Sequence, residues 1–229
     1  MTIRLADAAR WDQQLPHQLA AWNELQESLT AEQLSRFAET FRAGPPASEV
    51  RRITNPLTAV PFYPQLDNGP EGWRQCQTSA LAMCLSYLKT PGISDDLDYL
   101  RVVNRYGDTT QQQTHALALQ ALGARARFRQ NMTAGQLKAE IKAGLPVAIG
   151  ILHRGPVSKP TGGGHYVVAY GFDETGWRVH DPYGELDLIN GGWVKEGGLH
   201  GMGLHYSYRN LNPRWLVEGD GSGWGWTFS

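Results

Sequence analysis

Two cysteines, Cys76 and Cys84, are all that 229 residues contain. No third or fourth thiol is available for a disulfide framework or a zinc ribbon. The segment around them reads as helix, which would separate residues eight apart by roughly 12 Å at 1.5 Å per residue. A disulfide needs its Cα atoms within about 7 Å, so both are expected to be free thiols. A block of Lys or Arg is also missing, and the formal net charge is −1. Nucleic-acid binding needs a basic stripe to displace counterions from phosphate, so no nucleic-acid partner is expected. A neutral or mildly cationic target suits the overall balance better. No stretch approaches the roughly 18 apolar residues of a membrane span, and membrane insertion is not expected. Residues 1–10 lack a basic start followed by an apolar run, so no secretory signal is expected. The chain is expected to be made in a cytoplasm and to need help to leave it.

What is present is an ordinary globular composition, with 41% hydrophobic and 19% charged residues, enough for one domain and a small appendage. Eight Trp, nine Tyr and six Phe can supply a binding cleft as well as a core. Residues 1–43 read as a separate helical segment. Thr30 and Gln33 have capping-box spacing ahead of Leu34, Phe37 and Phe41. Gly44, Pro45 and Pro46 stop that helix, and 44–59 read as a linker or extended arm.

The main domain is expected over 60–229. Val60–Tyr63 is short and extended, and Gln65–Glu71 is a turn-rich loop. Gln75–Lys89 carries Ala80, Leu81, Met83, Cys84, Leu85 and Leu88 at helical spacing, which predicts a helix buried on most sides. Ser94–Tyr106 and Thr114–Leu122 are further helical candidates. Thr133 and Gln136 form a second capping box, opening a helix to about Ala143. Pro146–Leu152 is a continuous apolar run, the pattern of a buried strand. Tyr166–Phe172, Trp177–His180 and Leu186–Ile189 follow as strands joined by turns. Helices first and antiparallel strands afterwards make the expected fold class α+β. The Gly- and Trp-rich segment 190–229 has no repeat period and is expected to cover the sheet or wall a cleft.

Cys76 stands after the turn-rich loop at the head of an apolar helix. Backbone N–H groups there favour negative charge, which makes thiolate available. Cys84, mid-helix among apolar neighbours, is the structural contrast. His165 follows three glycines, Gly162 to Gly164, at the mouth of a buried strand. Asp181 ends the strand expected to pair with it, from where a carboxylate could accept from His165 Nδ1–H. Taken singly, His165 reads as a strand-end surface residue and Asp181 as a turn residue before Pro182. Gln65, upstream, could join the Cys76 backbone N–H in stabilising an oxyanion. Trp73, Gln77, Gly164 and Trp193 are the expected substrate contacts. Trp193, Tyr206 and Tyr208 could stack on sugar rings, and His153 could rim the cleft. His200 and His205, with His180 or Asp181, could hold a metal, but the glycines between them give no rigid presentation. No cofactor is expected.

The segments Val60–Gln65, Cys76–Met83, Gly163–Val168 and His180–Gly184 resemble the bacteriocin-leader-peptidase-like branch of the papain superfamily. The resemblance covers roughly residues 58–190, in the order Gln, Cys, His, Asp. It implies a papain-like α+β fold, a helical lobe carrying the Cys packed against an antiparallel sheet carrying His and Asp. It also implies roles: Cys76 as nucleophile, His165 as base, Asp181 as orienting acid and Gln65 as oxyanion residue. Many members have Gly directly after the cysteine, where this chain has Gln77. Leu15–Gln18, Trp22 and Arg214–Trp224 resemble segments flanking such domains in bacteriophage lysis proteins. That second resemblance implies peptidoglycan as substrate, and access to the wall once a holin opens the membrane. The alternatives are a peptidase processing leader peptides or structural proteins, a catalytically inactive papain-like binding or virion module, and a zinc amidase.

Overall fold

The computed structural model describes Thr30 and residues 57–229. The helical segment expected over 1–43, with its capping box at Thr30 and Gln33, and most of the 44–59 arm lie outside the described residues.

Two single turns of 3-10 helix, Gln65–Asp67 and Gly72–Arg74, fill the loop before the first α-helix. Helix α1 is Cys76–Tyr87, and every residue from Gln77 to Leu85 is buried. Helix α2 is Asp96–Val103, N-capped by the Asp95 carboxylate, which accepts from the Asp98 N–H at 2.7 Å. Helix α3 is Gln112–Ala121. Strand β1, Ala126–Met132, precedes helix α4, Ala134–Lys142. The capping box at Thr133 and Gln136 is present, with both of its hydrogen bonds at 3.0 Å. Strands β2 (Val147–Ile151), β3 (His165–Phe172) and β4 (Gly176–His180) follow, then β5 (Gly184–Leu186), β6 (Trp193–Glu196) and β7 (Leu204–Ser207). Helix α5 is Tyr208–Trp215 and strand β8 is Gly223–Phe228.

The main sheet has the order β1-β8-β2-β3-β4-β7 with every pairing antiparallel, and β5 and β6 form a separate two-stranded sheet. Strand alternation splits the core in two. Ala148, Tyr166, Val168 and Trp226 meet Leu81, Met83 and Leu85 of α1 on one face. Val147, Ile149, Ile151, Val167 and Ala169 meet Leu137 and Ile141 of α4 and Leu211 and Trp215 of α5 on the other. Covering both faces explains why β2 reads as an unbroken apolar run and is buried throughout.

Three expectations need correction. Helices do not all precede strands, because β1 lies between α3 and α4; its apolar residues Ala126, Phe128 and Met132 fall at period two among arginines. The Gly- and Trp-rich tail is not only a cover: β8 is an interior strand between β1 and β2. Its glycines are there for closeness. A Cβ on Gly225 would sit 2.6 Å from the Ala148 carbonyl oxygen, and one on Gly150 would sit 1.9 Å from the Trp224 indole nitrogen. The Leu186–Ile189 strand ends at Leu186, since the Asp187 carboxylate accepts from the N–H groups of Ile189 and Asn190, both at 2.9 Å, and turns the chain.

Candidate active site

Cys76 is the first residue of α1, half-buried, with no side chain capping the helix. The first N–H groups of a helix have no intrahelical acceptor, and they favour negative charge on a side chain at that end. His165 is the first residue of β3 and is 3% exposed. In antiparallel pairing the start of β3 lies beside the end of β4, with Val168 opposite His180. That register sets Asp181, just past β4, behind the imidazole.

His165 Nε2 and Asp181 Oδ1 are 2.7 Å apart, and Asp181 is fully buried. Nε2, not the expected Nδ1, therefore faces the carboxylate, which leaves Nδ1 for the sulfur. The Cys76 side chain lies within hydrogen-bonding reach of the ring. Burial pulls the His165 pKa down, but the Asp181 charge, its hydrogen bond and Cys76 outweigh that and raise it to about 10. A sulfur, an imidazolium and a carboxylate in this order can form a thiolate–imidazolium pair whose proton is ready for a leaving group.

The carboxylate is held on all sides. Its Oδ1 also accepts from the Tyr183 N–H at 3.1 Å, and its Oδ2 accepts from the Tyr206 hydroxyl at 3.0 Å. The Tyr206 oxygen in turn accepts from the Leu186 N–H at 2.9 Å. Tyr206 is thus 3% exposed and spent on Asp181, not available to a sugar. Tyr208 is also elsewhere: it donates to the Asp173 carbonyl and packs edge-on against Trp177. Trp193 meets His165 edge-to-face at 4.8 Å, with Tyr183 stacked on it at 4.2 Å. These rings keep water from the His165–Asp181 bond, which strengthens it.

A cleft of about 530 Å³ opens over Cys76 and His165. Trp73, Gln77, Gly164 and Trp193 all line it. Trp73 is 61% exposed at the lip. Gln77 is buried, and its amide donates to the Gln112 side-chain oxygen at 2.8 Å, which also accepts from the Trp226 indole at 3.1 Å. His153 lines the cleft too, with its ring 6.0 Å from that of His165. Gln65 is fully buried behind the wall: one amide N–H goes to the Gly72 carbonyl at 2.8 Å, and its Oε1 has no partner.

The other candidates are not brought together. Cys84 is buried, and burial pushes its thiol pKa far up. His180 is a strut: Nε2 faces the Val60 carbonyl at 3.1 Å, and Nδ1 accepts from the Gly203 N–H at 3.0 Å. His205 pairs with Asp173 at 3.0 Å. Among the described residues no group of three His, Cys, Asp or Glu is placed to hold a metal. No helix among them is long and apolar enough to cross a membrane. The sequence reading gave Tyr206 a sugar-stacking role in place of its bond to Asp181, and missed Tyr183 and Gln112. Tyr183 sits two residues past Asp181, within a segment already singled out; Tyr206 and Gln112 carry no local signal.

A family model described as the peptidase C39-like family matches residues 57–196. The chain belongs to that family. It is therefore read as a cysteine peptidase, and the match spans Gln65, Cys76, His165, Asp181 and Trp193 while stopping short of Tyr206, Arg214 and β8. Among solved structures, that of a Bacillus anthracis protein assigned as a candidate C39-like peptidase is similar, with a TM-score of 0.52 and 18% sequence identity. The similarity covers 76% of this chain and 96% of the other. At that identity the likeness speaks to fold, and the fold is papain-like α+β as expected. No curated protein matches the sequence.

Proposed function

We propose that this C39-like peptidase uses Cys76, His165 and Asp181 to cleave peptide or amide bonds of bacterial peptidoglycan, as a phage lysis enzyme does. The observation that carries the chemistry is the row of sulfur, imidazole and buried carboxylate, the first two lining one open cleft. The substrate and the lysis setting rest on the flanking segments' resemblance to lysis proteins.

In this mechanism the Cys76 sulfur attacks the scissile carbonyl carbon, and the carbonyl electrons move onto oxygen. The Cys76 backbone N–H receives that oxyanion; Gln65, buried behind the cleft wall with one amide N–H on the Gly72 carbonyl, joins by turning its second N–H toward it. As the tetrahedral adduct collapses, the C–N bond breaks and His165 gives its proton to the departing nitrogen. Water then attacks the thioester, His165 takes the proton, and the acid product leaves with the thiolate restored. Asp181 keeps the ring oriented throughout and stabilises its charged form; it does not take the proton itself.

Digestion of purified cell wall, followed by mass spectrometry of the fragments, tests both parts. Wild type should create new amino and carboxyl termini, and Cys76→Ala should create none while remaining folded. Muropeptides left unchanged by wild type would move the substrate to a leader peptide or a structural protein. Iodoacetamide should label Cys76 well ahead of the buried Cys84; equal labelling would point to an inactive binding module.

A further inference from the structure

The chain is nearly neutral, but its cleft is not. The residues lining it include Arg74, Arg154, His153 and His165, and none is Asp or Glu. The two arginines differ. Arg74 is neutralised, with one guanidinium nitrogen 2.9 and 2.8 Å from the two Asp108 carboxylate oxygens. The Arg154 side chain is exposed and makes no hydrogen bond or ion pair among the described residues. Asp181, the nearest carboxylate to the chemistry, is buried behind His165 and already holds three donors.

Arg154 is also held in place from below. Its backbone N–H and carbonyl bridge to Thr161 at 2.9 and 2.8 Å. The fully buried Arg214 guanidinium donates to the carbonyls of Leu152 (2.9 Å), Arg154 (3.2 Å) and Gly155 (2.8 Å), and to that of Leu188 (2.9 Å). A buried charge is costly to place, and here it fixes the loop that presents Arg154. Gly162 leaves room for both neighbours: a Cβ there would be 3.3 Å from the His153 ring and 3.4 Å from Arg154 Cγ.

His153 adds a second polar group. Its Nδ1 is buried with no partner. A buried N–H without an acceptor is rarer than a buried lone pair without a donor, so Nδ1 is the unprotonated nitrogen. That leaves Nε2 to carry the hydrogen, on a side chain that lines the cleft.

We propose that the cleft reads a carboxylate on the leaving-amine portion of its substrate, with the Arg154 guanidinium as the recognising group and His153 Nε2–H beside it. This rests on the peptidase reading above. The side follows from the chemistry. His165 must hand its proton to the departing nitrogen, so the amine portion lies on the imidazole side of Cys76, the side of His153 and Arg154. The acyl portion lies toward Trp73 and Arg74, where the charge is cancelled. The carboxylate can be a side chain or a chain end; an arginine fork binds either.

The test begins with a mixture of proteome-derived peptides and solubilised muropeptides, digested by wild type and mapped by mass spectrometry. Cuts should be enriched for a carboxylate one or two residues to the amine side. The best substrate is then made in three forms: parent, side-chain carboxamide and C-terminal carboxamide. Losing the charged partner should lower kcat/KM by roughly 10- to 100-fold for one of the two amides, which identifies the source. Arg154→Gln should bring the parent-to-amide ratio toward one, and Arg154→Lys should restore part of it. The exposed position makes misfolding a small risk, and an unchanged melting temperature checks it. Cuts with no carboxylate preference, or an undiminished ratio in Arg154→Gln, overturn the proposal. Failure of the peptidase reading looks different: no cut in any peptide, and Cys76 labelled no faster than Cys84; that result would overturn both.

Discussion

Replacing Asp181 with Asn removes one charge and almost no volume. The Asn oxygen can still accept from His165 Nε2 and from the Tyr183 N–H, which now lie 2.7 and 3.1 Å from Oδ1. The amide nitrogen can donate to the Tyr206 oxygen in place of the 3.0 Å bond that Oδ2 accepts. Shape is kept; the change removes the charge and takes from the Tyr206 hydroxyl the acceptor that Oδ2 gave it. Burial alone would hold the His165 pKa below its ordinary value; the Asp181 charge, its hydrogen bond and Cys76 raise it to about 10. Loss of the charge should remove at least about two pH units of that, about 2.7 kcal/mol at 1.36 kcal/mol per unit, or roughly 100-fold in the ratio of imidazolium to imidazole at a given pH. The assay is carboxamidomethylation of Cys76 against pH, read by peptide mapping with Cys84 as internal reference. In wild type the imidazolium persists until pH rises through about 10, so its assistance to the thiolate should extend across neutral and mildly alkaline pH. In Asp181→Asn proton transfer from the Cys76 thiol to the imidazole should be less favourable by that same ratio, with labelling near pH 7.5 about tenfold slower or more. Superimposable profiles for the two proteins would refute the claim that Asp181 acts through charge.

Two further outcomes are expected. Burial lowers the pKa of His115 and of His180 to about 4. The unfolded chain takes up these protons as pH falls below about 6.5 and the folded one does not, so stability should be full above that pH. It should drop between pH 6.5 and 4 by up to roughly 3 kcal/mol per residue. His165 shifts the opposite way: its contribution is present below pH 6.5 and lost only as pH rises through about 10, so it adds no slope in the acid window. Urea midpoints that stay flat from pH 7 to 4.5 would contradict this. Arg214→Met should strand the carbonyls of Leu152, Gly155 and Leu188, since that of Arg154 keeps its Thr161 donor. A net loss of about 3 kcal/mol is expected after relief of the buried charge, lowering Tm by roughly 6–12 °C. A Tm shift of only a degree or two would remove Arg214 as the anchor of the 152–155 loop.

Much of this protein is decided locally. Cys76 heads α1 because a turn-rich loop full of Asp, Asn, Gly and Pro gives way there to an unbroken helical apolar pattern. The α4 start at Thr133, the buried run of β2 and the turn between β3 and β4 are equally short-range, so they are legible residue by residue. The order of Gln65, Cys76, His165 and Asp181 also stands in the sequence, as does the family it belongs to. Long-range pairing decided the rest. Nothing near residue 223 announces that β8 slides between β1 and β2, because its glycines matter against Met132, Ala148 and Ile149, all distant in the chain, and against Trp215. Nothing near Tyr206 announces Asp181, and nothing near Arg214 announces the loop at 152–155. A side chain's own sequence window states what it can bond with; which partner it finds depends on strands and helices that only the folded sheet brings within 3 Å.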